Sequence, residues 1–88
     1  MVWKVEFSET ALKQFAKLGE VQSARIGRYM NRHVAMLDDP RSAGKALAGP
    51  LAGLWRYRDG DWRVLCEIRD GTLRIVVVKI GNRRDVYR

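Results

Sequence analysis

Apolar and polar residues alternate at the start of the chain. In the stretch VWKVEF, the residues at positions 3, 5 and 7 are apolar, and Lys4 and Glu6 stand between them. Alternation with a period of two places the apolar side chains on one face of an extended segment. This pattern predicts a half-buried β-strand at the beginning of the chain.

Two segments with helical spacing follow this strand. Ser8 is placed as an N-cap ahead of a short helix, and Gly19 is predicted to end that helix. A second helix is predicted from Glu20 to Pro40, which cannot continue it. Its apolar stripe repeats every three or four residues and consists of Ile26, Tyr29, Met30, His33, Val34 and Leu37.

The second half of the chain predicts a loop and three strands. Residues 38–53 are rich in Gly, Ala and Pro, and the apolar runs after them are separated by Asp59-Gly60 and Asp70-Gly71, which are strong hairpin signals. The last run, LRIVVVKI, is almost continuously apolar, which indicates a central strand. The order β-α-α-β-β-β predicts an α+β fold, with two helices packed on a mainly antiparallel four-stranded sheet. Residues 1–88 are expected to form a single domain.

The first hairpin sorts its side chains between the two faces of the sheet. Opposite residues share a face, and neighbours along a strand alternate. With Asp59-Gly60 as a two-residue turn, the predicted pairs are Arg58 with Asp61, Tyr57 with Trp62, Arg56 with Arg63, and Trp55 with Val64. The aromatic residues are then expected on the core face, and the three arginines form a patch on the other face.

Composition adds a basic charge and excludes several kinds of site. The chain contains 17 Lys and Arg against 10 Asp and Glu, a formal charge of +7, and 12 of the 17 are arginine. With one cysteine and one histidine, we expect no internal disulfide, no metal and no cofactor. No apolar run is long enough to cross a bilayer, so no membrane is expected as a partner and a cytoplasmic location is expected.

The arginine patch needs a physical explanation, because like charges opposite each other in a sheet repel. A solvated strand face is one explanation, and a bound phosphate, which arginine holds through two parallel hydrogen bonds, is the other. The closing stretch GNRRDVYR adds further arginines and a tyrosine. If this tail folds back beside the hairpin, guanidinium groups for phosphate and a ring for base stacking come together, as in a nucleic-acid site.

These motifs carry a family resemblance. The stretches KALAGPLAGLWRYRDGDWRVLCEI and VVVKIGNRRDVYR, with the opening FSETALKQFAKL, resemble the RelE/ParE superfamily of bacterial and archaeal toxins, on its RelE-type side. The resemblance covers nearly the whole chain. It implies the toxin of a type II toxin–antitoxin system, an endoribonuclease that enters the ribosomal A site, cleaves mRNA there and inhibits translation. It also implies a cognate RelB-like antitoxin that forms a hetero-oligomer with the toxin and blocks it.

The resemblance also implies which residues act. Matched motif by motif, the catalytic positions of the family fall on Arg56, Arg58, Arg63, Arg83 and Tyr87. RNA binding is assigned to Lys45, Arg84 and Arg88. The best-known RelE members have lysines where this chain has Arg56 and Arg58, and arginine hardly exchanges a proton. The C-terminal spacing is also shorter than in those members, so Arg83 and Arg84 compete for one role.

A mechanism without metal follows from the chemistry of RNA. The 2′-hydroxyl attacks the adjacent phosphorus, so the site must align that oxygen with the leaving 5′-oxygen and stabilise the extra negative charge. The patch is expected to hold the phosphate, Arg83 to stabilise the transition state, and Tyr87 either to stack on a base or to take part in proton transfer. Two alternatives stay open: a ParE-type toxin that inhibits DNA gyrase, and a basic RNA-binding module without catalysis.

Overall fold

The computed structural model describes residues 2–87, which form one sheet with helices on one of its faces. The strand order is β1-β5-β4-β3-β2, and pairing is antiparallel except between β1 and β5. The elements are β1 (Lys4–Phe7), α1 (Glu9–Ala16), α2 (Glu20–Arg28), β2 (Lys45–Ala46), β3 (Trp55–Asp59), β4 (Trp62–Arg69) and β5 (Arg74–Asn82).

The α+β class and the two helices on a mainly antiparallel sheet are confirmed, but the sheet has five strands where four were predicted. The additional strand is β2, which lies inside the region predicted to be a loop and pairs with β3. Two residues are too few to show a period of alternation, so the sequence pattern does not reveal this strand. The central position predicted for the last strand is confirmed, since β5 lies between β1 and β4.

The first helix begins where the sequence predicts and ends earlier. Ser8 Oγ accepts a hydrogen bond from the backbone N–H of Ala11 at 3.1 Å, which is the predicted N-cap. The helix ends at Ala16, and Gly19 is the N-cap of α2, with φ at +85°. The glycine therefore begins the second helix instead of ending the first, because its positive φ allows the sharp turn between the two helices.

The second helix is shorter and less regular than predicted. After α2 ends, Tyr29–His33 form a π-helical turn and Val34–Met36 a 3₁₀ turn. Asn31 Nδ2 donates to the carbonyl of Gly27 at 2.9 Å. Such a bond competes with the backbone for a helical carbonyl, which accounts for the loosened turn.

The core fills the space between the helices and the inner face of the sheet. The Tyr57 hydroxyl donates to the carbonyl of Pro40 at 2.7 Å within it. His33, which the predicted stripe placed with the core, is exposed, and its ring lies 5.4 Å from that of Tyr29. The buried members of the core are Trp3, Ala11, Ile26, Met30, Val34, Ala35, Tyr57, Val64, Cys66, Ile75, Val77 and Ile80.

The first hairpin has a different register from the predicted one. Its turn is Gly60-Asp61, and Gly60 has a φ of +60°, which the first position of such a turn requires. Asp59 stays in the strand, because its carboxylate accepts hydrogen bonds from Arg25 at 2.9 Å and Gln22 at 3.2 Å. The predicted pairs are therefore wrong. The observed pairs are Trp55 with Cys66, Arg56 with Leu65, Tyr57 with Val64, Arg58 with Arg63, and Asp59 with Trp62.

The predicted faces survive this error. Each partner moves by two positions along the opposite strand, and side chains two positions apart point to the same face. Tyr57, Val64 and Cys66 accordingly lie in the core, while the arginines lie on the other face.

A bulge in β5 determines which face of the sheet its last side chains point to. Leu65 pairs with Lys79, whereas the next residue, Cys66, pairs with Val77, so Val78 is an extra residue on β5. Both Val77 and Ile80 can therefore face the core, where they are buried.

Helix α1 satisfies the backbone at this bulge. The Ser8 hydroxyl donates to the carbonyl of Val78 at 3.2 Å, and Gln14 Oε1 accepts from the N–H of Ile80 at 2.7 Å. These two bonds satisfy backbone groups of β5 that lie beyond its last pair with β1, which is Phe7 with Val77. The direction of Lys79, between the two bonded residues, is thereby fixed.

Candidate functional site

The face of the sheet that the helices leave open is basic at the end nearest the first hairpin. Cross-strand partners share a face, so the pairing defines two rows of side chains there. The first row runs from β2 to β5 and consists of Lys45, Arg56, Leu65 and Lys79. The second row consists of Arg58, Arg63 and Gly81. We call the five cationic side chains of these rows the basic end.

The three arginines of the basic end have different surroundings. Arg58 is exposed. Arg63 is only 8% exposed, and its Nη1 donates to the carbonyl oxygens of Gly60 at 2.7 Å and Trp62 at 3.0 Å. Arg56 is half-buried, and its buried Nε has no hydrogen-bond partner among the described residues. The sequence placed these three side chains on one face but gave no sign that they differ in exposure.

An apolar spot lies beneath the cationic side chains. Leu65 is fully buried, yet it is not part of the core between the helices and the sheet. Its cross-strand neighbours are Arg56 and Lys79, whose methylene stems are suited to cover it. A short apolar layer therefore holds the bases of these long side chains on a face that carries no helix.

The C-terminal tail folds back beside the hairpin. The N–H of Arg83 donates to the carbonyl of Asp61 at 2.8 Å, and Arg83 Nε lies 3.9 Å from Asp61 Oδ1. Val86 is 1% exposed and lies over Gly81, where an added Cβ would be 3.4 Å from it. Tyr87 follows and is 42% exposed.

The remaining tail residues divide between the surface and the undescribed terminus. Arg84 is exposed, and its N–H donates to Asn82 Oδ1 at 3.1 Å. Arg88, assigned to RNA binding, lies outside the described residues. The structure therefore brings Arg83, and not Arg84, into contact with the hairpin.

Charges are paired at the opposite end of the same face. Arg74 Nη1 lies 2.6 Å from Glu6 Oε1, and Arg69 Nε lies 2.8 Å from Glu67 Oε1. At the basic end, by contrast, no carboxylate of residues 2–87 lies within 4.0 Å of Arg56, Arg58 or Arg63. Among the described residues, these three guanidinium groups are therefore not neutralised by an ion pair.

Other reactive groups lie away from the basic end. Burial raises the pKa of the Cys66 thiol, which faces the core and stays protonated. Burial also raises the pKa of Tyr57, whose hydroxyl is committed to Pro40. Within residues 2–87, no cluster of His, Cys, Asp or Glu is placed to hold a metal ion, and no pocket is present. No helix in that part of the chain is long and apolar enough to span a bilayer.

Lys79 is the residue at the basic end that the sequence did not reveal. The sequence gives only a slight indication of it, since Lys79 is the only polar residue of the run IVVVKI. Its face depends on the bulge at Val78, which the sequence pattern does not show.

Comparisons with known proteins place the chain in a family. A family model described as the ParE toxin of type II toxin–antitoxin systems matches residues 5–87. Toxin RelE of Mycobacterium tuberculosis is 31% identical over 86 residues, which are 98% of this chain and 87% of that protein. Toxin RelG of the same organism is 30% identical over 88 residues, 100% of this chain and 99% of that protein.

Solved structures of related proteins have the same fold. The toxin–antitoxin complex RelBE2 of M. tuberculosis contains a chain that is 27% identical and superposes with a TM-score of 0.85, covering 97% of this chain and 95% of that one. The intact E. coli RelBE complex shares the fold at 22% identity and a TM-score of 0.71, covering 91% and 95% of the two chains. The protein therefore belongs to the ParE toxin family of type II toxin–antitoxin systems, within the RelE/ParE superfamily.

Proposed function

We propose that this toxin is a RelE-type endoribonuclease that cleaves mRNA in the ribosomal A site. The observation that carries the proposal is the basic end, where Arg56, Arg58 and Arg63 share one face without a carboxylate partner among the described residues. Guanidinium groups so arranged bind phosphate oxygens and stabilise the charge that develops during phosphoryl transfer. The similarity to the toxins named RelE and RelG supports the RelE-type assignment.

We assign the arginines different roles according to their surroundings. Arg58 is exposed and makes the first contact with the scissile phosphate. Arg63 is held by the carbonyl oxygens of the hairpin and supplies a fixed positive charge behind it. Arg83, held beside Asp61, approaches from the tail and stabilises the transition state. Because these charges are preorganised, little reorganisation is needed when the phosphorus becomes five-coordinate.

The nucleophile belongs to the substrate. The 2′-oxygen attacks phosphorus, the bond to the 5′-oxygen breaks, and the products are a 2′,3′-cyclic phosphate and a 5′-hydroxyl. No metal takes part in this proposal, since the positive charge comes from guanidinium groups. We assign Tyr87, which is partly exposed on the tail, either to stacking on a base or to proton transfer.

The shape of the site favours a ribosome-dependent reaction. The face is open, and residues 2–87 form no pocket that would hold a nucleotide alone. In-line attack requires the 2′-oxygen, phosphorus and 5′-oxygen to be aligned, which is worth several kcal/mol of the barrier. We propose that the ribosome holds the codon in that geometry, in the cytoplasm, and that the toxin supplies the charge.

A cognate antitoxin is part of the proposal. The solved relatives with the same fold include toxin–antitoxin complexes from M. tuberculosis, E. coli and Pyrococcus horikoshii. A RelB-like partner that binds this chain in a hetero-oligomer would block access of RNA to the basic end.

Primer extension on a reporter mRNA in a purified translation system tests the proposal. The protein should cut inside translated codons, only when ribosomes are present, and leave a 5′-hydroxyl. Arg58→Ala should reduce the cleavage rate about 100-fold. The matched control is Arg69→Ala, an exposed arginine of the same face that is paired with Glu67 and should keep the wild-type rate.

Two other results would redirect the proposal. The matching family is described by its ParE toxins, so gyrase inhibition is the specific alternative. Intact mRNA together with inhibition of DNA supercoiling by purified gyrase would establish it. Ribosome-bound protein that neither cuts mRNA nor inhibits gyrase would leave an RNA-binding module without catalysis.

A further inference from the structure

We propose that Lys79 is the general acid of the cleavage reaction and protonates the leaving 5′-oxygen. The inference rests on the proposed function and names a residue that supplies what the arginines lack. An arginine side chain holds its proton too firmly to give it to a leaving alkoxide, whereas the ammonium group of lysine can lose one. Departure of the 5′-oxygen without protonation is slow, so a donor at this point is worth about 100- to 10,000-fold in rate.

The cross-strand register brings Lys79 to the reacting phosphate. Lys79 is directly opposite Leu65, and Arg63 is two residues before Leu65 on the same strand and face. Such diagonal neighbours lie about 7–8 Å apart at their Cα atoms, within the reach of a lysine stem. The ammonium group therefore approaches a phosphate bound at Arg58 and Arg63 from the side of the tail.

Two features of the chain hold Lys79 in this position. The bulge at Val78 turns it toward the open face. On either side of it, the Ser8 hydroxyl donates to the carbonyl of Val78 and Gln14 Oε1 accepts from the N–H of Ile80. Its stem lies beside the buried Leu65, and the residue is half-buried as a result. A donor held on a central strand meets the need for a fixed geometry better than one on a loop.

Lys45, the other lysine of the row, is placed less well for this role. It is exposed, lies on the two-residue edge strand β2, and is separated from Lys79 by the whole width of the row. Lys45 is a diagonal neighbour of Arg58, as Lys79 is of Arg63, so its exposure and its place on the edge strand set it apart, and not its distance from the second row. We assign Lys45 to holding the RNA backbone and Lys79 to proton transfer.

The proposed step balances as follows. The 2′-oxygen forms a bond to phosphorus and its proton passes to a solvent water. The bond between phosphorus and the 5′-oxygen breaks, and the 5′-oxygen takes a proton from the Lys79 ammonium group. The resulting neutral amine regains a proton from water after the products leave.

Single-turnover cleavage of ribosome-bound mRNA, with saturating toxin, tests the assignment. The substrates are a natural mRNA and the same mRNA with sulfur in place of the 5′-oxygen at the scissile bond, since a thiolate leaves without a proton. Lys79→Met and Lys79→Arg should each slow cleavage of the natural mRNA at least about 100-fold. Both should cleave the sulfur-containing mRNA within a few-fold of the wild-type rate.

Two lysine variants complete the test. Lys4→Met, an exposed lysine of strand β1, should match the wild type on both substrates. Lys45→Met should lose rate at low toxin concentration on both substrates, and sulfur should not restore it. Thermal unfolding of each variant separates a lost proton donor from a lost fold.

Each outcome decides the inference. A Lys79→Arg variant with the wild-type rate would reduce the role of Lys79 to its charge and overturn the proposal. A Lys79→Met defect that persists with the sulfur-containing mRNA would also overturn the proposal. So would a Lys45→Met defect in cleavage rate that the sulfur-containing mRNA restores. Absence of cleavage by the wild-type protein would instead overturn the proposed function, and this inference with it.

Discussion

The two ends of the open sheet face use the same residue type in opposite ways. At the far end, Arg69 and Arg74 each lie within 3 Å of a glutamate. At the basic end, Arg58 lies directly opposite Arg63, and neither has a carboxylate within 4.0 Å among the described residues. Both ends belong to one sheet and are built by the same alternation, so the backbone does not account for the difference.

We infer that the paired charges at the far end serve the fold, whereas the unpaired charges at the basic end serve a binding partner. An exposed ion pair contributes little to stability, but it removes the net charge of its arginine from the surface. Arg69 and Arg74 also lie directly opposite each other, but each has a glutamate beside it, whereas Arg58 and Arg63 repel each other and keep their charge. The basic end is thus less stable than it could be with the same backbone, which is a common feature of binding sites.

Charge reversal should reduce cleavage at the basic end and leave it unchanged at the far end, and this is the largest effect we expect. Arg58→Glu removes a phosphate contact, adds repulsion, and should reduce mRNA cleavage about 1000-fold. The same change places a carboxylate opposite Arg63, so the free energy of unfolding should rise by about 0.5 kcal/mol. Primer extension measures the first effect and urea unfolding the second.

Arg74→Glu is the matched control at the far end. It replaces the ion pair with Glu6 by a repulsion but also places a carboxylate opposite Arg69, so the free energy of unfolding should change by less than about 0.5 kcal/mol, with cleavage unchanged. If Arg74→Glu also abolished cleavage, or Arg58→Glu lowered stability, the two ends would not differ in the way we infer.

The C-terminal tail gives a second test of the basic end. Among the described residues, a buried residue of the tail lies at the basic end and none lies at the far end. Val86 is 1% exposed over Gly81 and lies between Arg83 and Tyr87 along the chain. Val86→Ala removes two methyl groups from a buried site and should lower the free energy of unfolding by about 2 kcal/mol. Cleavage should fall about tenfold, because Arg83 and Tyr87 lose their fixed positions.

Val21→Ala is the control for this substitution, because Val21 is 78% exposed on α2 and should tolerate the change in both assays. Hydrogen exchange should show faster exchange confined to residues 81–87 in Val86→Ala. Unchanged cleavage with lowered stability would indicate that the tail contributes only to packing.

The faces of this sheet could be predicted from the sequence, whereas the partners across it could not. Alternation assigned Tyr57 to the core and Arg56 to the open face, and that assignment does not depend on which residues pair. The pairs depend on the turn, and the turn depends on Asp59, which α2 holds in the strand through Arg25 and Gln22. A contact between residues more than 30 positions apart leaves no trace in a local pattern.

The same limit applies to the site. The motif placed Arg56, Arg58 and Arg63 together, but the burial of Arg63 and the position of Lys79 follow from tertiary contacts. Arg63 is covered because the hairpin turn offers its carbonyl oxygens, and Lys79 faces outward because of a bulge that α1 closes. Local sequence thus identified which residues gather, and packing determined which of them are exposed.

The salt dependence of RNA binding should distinguish paired from unpaired arginines. Each cation that neutralises a phosphate of single-stranded RNA contributes about 0.7 to the slope of log K against log salt concentration. Arg58→Ala should therefore reduce the slope by about 0.7. Arg69→Ala should leave it unchanged, since Glu67 already neutralises Arg69. Fluorescence anisotropy with a short single-stranded RNA measures both slopes, and equal slopes for the two variants would contradict the division.

The smallest effect we expect is a difference in acid sensitivity between the two ends. Asp70, in the turn between β4 and β5, accepts hydrogen bonds from Arg41 at 3.0 and 2.6 Å. These bonds, together with the positive charge of Arg41, hold the pKa of Asp70 below its ordinary value. The unfolded chain therefore takes up this proton more readily as the pH falls. The stabilisation is present above the ordinary carboxylate pKa of about 3.9 and is lost as the pH falls through the lower value in the folded protein.

Asp70→Asn should consequently lower Tm at pH 7 and make Tm fall less steeply than in the wild type as the pH falls below about 4. Asp61→Asn is the matched control at the basic end, where the carboxylate approaches Arg83 no closer than 3.9 Å. Its effect on Tm at pH 7 should be smaller than that of Asp70→Asn. Thermal melts followed by circular dichroism at pH intervals of about 0.5 distinguish the three curves. If Asp61→Asn flattened the curve and Asp70→Asn did not, the carboxylate contacts that stabilise the fold would lie at the basic end, and the charges there would not be reserved for RNA.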